Sequence, residues 1–318
     1  MGAAPGRRLQ PVTRPFTILA EGLAFPEGPV ARPDGSLLLG EVAAGRVVRL
    51  DATGHVSTVA TPGGGPGGLG IGPDGAIYAC NGGGSRFREL DGLLQPWGAS
   101  SEYAGGRIER IDPTTGTVTV LYAACDGHPL SSPNDLVFDR HGGFWFTDLG
   151  KTHPRHRDRG GVYYARADGS AITEAAFPME TPNGIGLSPD GRTLYVAETL
   201  TARLWAFEVI SPGVLRLADS RWAKGRLLCG LPGLVGLDSL AVQANGDICV
   251  ATLLQGGITR VSPDGARVEH IPLPDTYVTN LCFGGADRRT AFVTLSSRRQ
   301  LVAVPWDAEG LALHHADL

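Results

Sequence analysis

A turn followed by an apolar strand recurs six times along the 318 residues, and no other feature constrains the fold as strongly. The turns are Pro33-Asp34-Gly35, Pro73-Asp74-Gly75, Arg140-His141-Gly142, Pro189-Asp190-Gly191, Ala244-Asn245-Gly246 and Ala286-Asp287-Arg288. Asp-Gly and Asn-Gly pairs supply the positive φ of a tight hairpin, so each copy reads as two antiparallel strands. Upstream of the turns lie short apolar strands at 28–31, 68–71, 136–138, 185–187, 240–242 and 281–283. Downstream, apolar and polar residues alternate in a further strand pair, as at 46–50 with 55–59 and 257–261 with 267–271. Four strands per unit, repeated at intervals of roughly 40 to 70 residues, predict the blades of a β-propeller.

Six blades account for the chain. Residues 16–19 are left over before the first blade and are expected as the outer strand of the sixth. The inner strands of that blade would end the chain at 301–304 and 311–313, closing the ring and removing its open edge. The expected fold class is therefore all-β: one six-bladed propeller domain spanning 1–318, with 1–15 as a poorly ordered arm. Forty-six glycines and 23 prolines, about 22% of the chain, suit such a turn-rich fold and argue against a helical bundle.

A formal charge of −4 argues against a nucleic-acid partner, and no apolar stretch is long enough to span a membrane. Residues 1–14 carry three arginines and no apolar core, so they are not read as a secretory signal. Five cysteines show no close pairing, and Cys80, Cys249 and Cys282 sit in apolar runs as small buried hydrophobes. The expected location is the cytoplasm, and the expected assembly a monomer or small homo-oligomer acting on a small molecule.

Strand direction decides which residues can meet. Adjacent strands are antiparallel, so the entry to each innermost strand shares a face with the loops joining second to third strands. The two longest of these loops, 81–106 and 149–160, fall on that face, where long loops often serve as lids. The residues entering the innermost strands are Glu27, Gly67, Asn134, Asn183, Asp238 and Asn280, converging on the channel mouth. Two carboxylates, three carboxamides and a glycine form an oxygen-only cluster, which favours Ca²⁺, Mg²⁺ or Mn²⁺ over a soft metal.

These segments resemble the senescence-marker-protein, gluconolactonase and luciferin-regenerating-enzyme-like six-bladed propellers. The resemblance runs over about 16–313 and is carried by Phe25-Pro26-Glu27-Gly28, Ser132-Pro133-Asn134-Asp135, Pro182-Asn183-Gly184 and Asp238-Ser239-Leu240. It implies one divalent cation at the channel mouth, held by Glu27, Asn134, Asn183 and Asp238. Calcium is the expected ion, with zinc, manganese, magnesium or iron as alternatives. The activity implied is metal-dependent opening of an aldonolactone or related cyclic ester. Ser132 stands where some members carry a sugar-binding Arg, a departure that bears on gluconolactone specificity rather than on the hydrolytic chemistry.

In this reading the cation polarises the ester carbonyl while Asp238 accepts the proton of the attacking water. Asp148 and Glu198 end second strands beside Asn134 and Asn183, to orient ligands or meet substrate hydroxyls; Asp135, Lys151 and Asn280 complete the expected surroundings. His153 and His156 read as part of a solvated loop, without a metal signature in the absence of a helix beneath them. Selectivity is expected from loop residues such as Arg86, Trp97, Tyr103 and Lys151.

Gly65-Pro66-Gly67-Gly68-Leu69-Gly70 matches G-x-G-x-x-G but opens a strand rather than a helix, which rejects a dinucleotide site; it is read as room for close backbone approach. The sequence has no G-x-S-x-G elbow. Two rival readings stand beside the lactonase. One is an organophosphate or fluorophosphonate hydrolase in which a carboxylate attacks phosphorus. The other is a calcium- or ligand-binding propeller without catalysis.

Overall fold

Strand pairing follows the repeat closely. The structure, a computed structural model, describes residues 14–220 and 223–318. These residues contain no α-helix. Six antiparallel sheets surround an axis. Their innermost strands are Pro26–Ala31, Pro66–Ile71, Pro133–Phe138, Pro182–Leu187, Gly236–Val242 and Val278–Gly284. Each touches the innermost strand of the next blade, and the sixth touches the first. The fourth blade carries an additional short strand, Val214–Arg216, on the far end of Arg203–Ser211.

The hairpin turns form as the dipeptides predict. In the first, Gly35 takes φ 82° and the Asp34 carboxylate accepts the N–H of Ser36 at 3.0 Å. In the sixth the left-handed position falls on Arg288, φ 52°, with Asp287 accepting the N–H of Arg289.

Ring closure uses the first strand. Thr17–Ala20 pairs antiparallel with Gln300–Pro305 and becomes the outer strand of the sixth blade. The expected strand at 311–313 does not form. Thr17–Ala20 already occupies the free edge of Gln300–Pro305, so the C-terminal segment turns away beneath the ring. There Leu311 donates its N–H to the Val242 carbonyl of blade five at 2.9 Å, and Gly310 bridges Gln243.

Of the expected poorly ordered arm, residues 1–13 lie outside the described residues, and Arg14 is held. Its guanidinium lies over Trp306, 4.8 Å from the ring centroid, and 2.7 Å from the Asp307 carboxylate.

The core is a ring rather than a centre. Buried apolar side chains gather in six clusters, one at each blade-to-blade interface, where neighbouring sheets pack face to face. The most aromatic lies between blades two and three, with Tyr78, Phe138, Phe144 and Phe146. Cys80, Cys249 and Cys282 are buried free thiols within these clusters.

Near the axis the sheets converge until side chains no longer fit between them. A Cβ on Gly68 would lie 2.6 Å from the Asp135 Cα and 2.7 Å from the Asn134 carbonyl oxygen; one on Gly184 would lie 2.6 Å from the Asp238 carbonyl. The glycine-rich run of blade two thus permits the expected close approach, with Gly68 the residue under greatest constraint. Gly68→Ala should cost about 1–3 kcal/mol in a urea unfolding experiment, because backbone must move. Gly230→Ala, where the nearest neighbour is 3.8 Å away, should be neutral or stabilise by up to about 1 kcal/mol.

Candidate functional site at the channel mouth

Every innermost strand carries one extra residue at the same height. In blade one Glu27 pairs with Gly40 but Val30 pairs with Leu38; in blade three Pro133 pairs with Asp148 but Leu136 with Phe146. The same slip occurs at 66–69, 182–185, 237–240 and 278–280. A β-bulge of this kind re-aims a side chain that regular pairing would commit to a sheet face. Glu27, Gly67, Asn134, Asn183, Asp238 and Asn280 all lie in or beside these six bulges, so the six axial positions expected from the sequence share one level of the ring.

Their side chains interact across blades. Asn280 Nδ2 donates to Glu27 Oε2 at 3.0 Å. Asn183 hydrogen-bonds the Asp238 side chain, and Ser239 Oγ donates to Asn183 Oδ1 at 3.4 Å. Asp135 Oδ1 accepts the N–H of Leu136 at 2.9 Å and its carboxyl also meets Ser239. Asn183, Asp238, Asn280 and Asp135 are buried, whereas Glu27 and Asn134 keep part of their surface open to the mouth.

Three acids therefore share this neck. Burial is the main force on each. It lifts Glu27 above the ordinary carboxylate range against hydrogen bonds from Thr279, Asn280 and Gly28. It pushes Asp135 up to about 7, with the charge of Glu27 adding to the rise. It raises Asp238 well above its usual value, reinforced by the charges of Glu27 and Asp135. Among the described residues no Lys or Arg forms an ion pair with any of the three. Crowded carboxyls, carboxamide oxygens and no basic partner form a donor set that fits a hard divalent cation.

Asp148 and Glu198 are occupied with backbone. Asp148 accepts the N–H groups of Ser131 and Ser132 at 2.7 Å each, and that of Gly150 at 2.9 Å. Glu198 accepts the N–H of Glu180 at 2.9 Å and the hydroxyl of Thr201. Glu41 and Asn81 take equivalent bonds from Ala24 and Gly65. In four blades, then, the residue ending the second strand pins the loop that leads into the axial residue. That places Asp148 and Glu198 behind the axial side chains, holding the loops that aim them.

Lys151 is a buried tie. Its Nζ donates to the Gly82 carbonyl at 2.8 Å and to Ser85 Oγ at 3.1 Å, joining blade three to the base of the blade-two loop. Burial lowers its pKa to about 8. A Cβ on Gly82 would lie 2.9 Å from Ser132 Oγ and 4.0 Å from Lys151 Nζ, so the amine and Ser132 border the same patch of wall.

Two features escape sequence reasoning. Residues 81–106 contain a hairpin, Ser85–Leu90 with Leu93–Ala99, that reaches across the mouth. Leu94 donates its N–H to the Ser297 carbonyl of blade six at 3.0 Å, the Phe87 ring meets Phe25 at 5.1 Å, and Ala99 donates to the Thr152 carbonyl of blade three at 2.9 Å. Arg88 stacks on Trp97 along this lid, 3.4 Å from its centroid.

The second feature is a buried hydroxyl chain. Thr279 meets Thr294 at 2.9 Å and also Ser296, which donates to the Pro26 carbonyl beside Glu27. The loop length hinted at the lid; single Ser and Thr residues in strands carry no comparable signal.

Comparisons with known proteins agree with this architecture. Residues 25–297 match the model of the SMP-30/Gluconolactonase/LRE-like region. A gluconolactonase of Zymomonas mobilis is 27% identical over 315 aligned residues, covering 90% of this chain and 80% of that protein. The lactonase drp35 of Staphylococcus haemolyticus is 29% identical over 258 residues, covering 80% of this chain and 71% of that protein. The solved structure of a Xanthomonas campestris gluconolactonase superposes with a TM-score of 0.70 at 25% identity, covering 91% of this chain and 89% of that one. A calcium-binding regucalcin of Agrobacterium tumefaciens shares the fold, with a TM-score of 0.71 at 20% identity and coverage of 94% and 97%. With its motifs, its six-bladed ring and a family match across most of its length, this chain belongs to the SMP-30/gluconolactonase/LRE-like family.

Proposed function

We propose that the protein is a metal-dependent hydrolase that opens a lactone at the channel mouth. The observation that carries this reading is the six bulges in register, which gather three uncompensated acids and three carboxamides at one level. Relatives named gluconolactonase and lactonase support the substrate class.

Glu27, Asn134, Asn183 and Asp238 would hold the ion, with calcium the expected choice for oxygen donors. When bound, a dication supplies Lewis-acid stabilisation of the negative charge that grows on an ester carbonyl oxygen. The chain does the rest. Asp238 takes the proton from the attacking water, and its bond from Asn183 fixes its direction. Asn280 and Thr279 hold Glu27 in place. The hairpin across the mouth limits water around the reacting ester. Water oxygen becomes the new carboxylate oxygen, the ring C–O bond breaks, and the leaving alkoxide is protonated to give a hydroxy acid.

A panel of five- and six-membered lactones, assayed with and without chelator, tests the reading. Turnover should disappear on chelation and return with calcium. Asp238→Asn should lower kcat by about 10² or more, with the fold retained. Undiminished turnover in that variant removes Asp238 from its role. An ion bound with no lactone or other ester turned over would make the protein a binder instead.

Stability offers a second measurement. The three acids have folded-state pKa values above their unfolded ones, so between those values the folded chain holds more protons than the unfolded chain. The stability of the chelated protein should therefore fall as pH rises from about 5 to about 7.5. Calcium should raise Tm more at the upper pH than at the lower, because the ion favours the ionised carboxylates.

A further inference from the structure

The blade-three loop, residues 149–160, folds into a small hairpin of its own. Thr152 bridges Arg157, the N–H of His153 donates to the His156 carbonyl at 2.9 Å, and that of Asp158 donates to the Lys151 carbonyl at 2.9 Å. This reversal places His153 directly over His156, ring centroids 4.4 Å apart and planes 13° from parallel. Asp158 lies beside both: one carboxylate oxygen is 3.2 Å from His153 Nε2, and the other 4.0 Å from His156 Nε2. One donor atom from each of the three residues lies within 4.8 Å of the other two. The sequence spacing gave no metal signature without a helix; in the folded loop the hairpin does the gathering a helix would do.

We propose that His153, His156 and Asp158 form a second metal site, selective for a zinc-class dication, on the rim of the mouth. Two imidazoles and one carboxylate are borderline donors; they suit Zn²⁺, Co²⁺, Ni²⁺ or Cu²⁺ and discriminate against Ca²⁺, which takes oxygen. The axial cluster has the opposite character, with no imidazole in it. One face of the ring thus offers two donor sets of different hardness. Three protein ligands leave at least one coordination position for water or an incoming group.

The surroundings suit the role. His153 and Asp158 are half-buried while His156 is exposed, so an ion can enter from solvent. The His153 ring is braced edge-on by Tyr103 at 5.8 Å, whose hydroxyl donates to the Ser131 carbonyl at 2.7 Å. Three nearby basic side chains turn elsewhere: Arg157 Nε to Thr152 Oγ1 at 3.0 Å, Arg159 to Glu180 at 2.8 Å, and Lys151 to Gly82. Thr152, next to His153, is also where the lid hairpin is bonded through Ala99. An ion here therefore sits at the joint between the two mouth loops.

The test uses untagged full-length protein, stripped with chelator and then held in excess calcium. Zinc is titrated calorimetrically, and cobalt by its visible absorption. One equivalent should bind with a Kd of about 1 µM or tighter, undisturbed by the calcium. His156→Ala and Asp158→Asn should each weaken zinc binding at least about tenfold without moving Tm in the metal-free state. Equal zinc affinity in wild type and both variants overturns the proposal, as does the lack of saturable binding. Zinc uptake removed by Glu27→Gln but retained in His156→Ala also overturns it, by placing the zinc in the axial cluster. None of these outcomes depends on lactone turnover, so this site and the hydrolase reading stand or fall separately.

Discussion

A strand paired along its whole length sends alternate side chains to its two faces, and in a propeller blade both faces are covered by neighbouring blades. Only a residue released from that alternation can be aimed into the axis. The extra residue in each innermost strand provides the release, and the site is built from the side chains it frees. The same crowding explains the glycines beside them. Where Gly68 and Gly184 lie against Asn134, Asp135 and Asp238, backbone meets backbone, and this close contact brings side chains from different blades within hydrogen-bonding range.

Bringing acids together in a dry neck has a cost that the structure counters from several directions. Hydrogen bonds from Asn280, Thr279 and Gly28 offset part of the burial of Glu27, and those from Asn183 and Ser239 do so for Asp238. Behind them, Glu41, Asn81, Asp148 and Glu198 each accept a loop N–H group, so the axial side chains leave from fixed backbone. No Lys or Arg among the described residues pairs with these acids, and burial, joined for Asp135 and Asp238 by the charge of neighbouring acids, lifts all three above the ordinary carboxylate range. Covering the neck are the hairpin from blade two, tied to blades three and six, and the buried Lys151 at its base.

Much of this was legible because it was repeated. Turn dipeptides at six places announced six blades, and Glu27, Asn134, Asn183 and Asp238 stood at equivalent points in units whose topology sends them to one face. What the sequence left open turns on contacts that the sixfold repeat does not specify. Asp148 and Glu198 were expected to orient ligands or meet substrate hydroxyls, and their carboxylates accept N–H groups of the loops 16 to 18 residues earlier. The segment at 311–313 has the composition of a strand but finds its edge taken by Thr17–Ala20. His153 and His156 carried no recognisable spacing, because their meeting depends on a tight hairpin whose closure involves Thr152, Arg157 and Asp158 together.

By itself the sequence determined the number of blades, the face on which the axial residues gather, and the oxygen-rich character of those positions, because each follows from local periodicity multiplied sixfold. Only the tertiary structure decided that a hairpin spans the mouth, that the buried Asp135 carboxyl joins Glu27 and Asp238 in the neck, and that two imidazoles stack on each other beside a carboxylate on the rim. Those outcomes turn on distances between separate blades and loops, and a repeat pattern specifies what each unit is without specifying how the insertions between units meet.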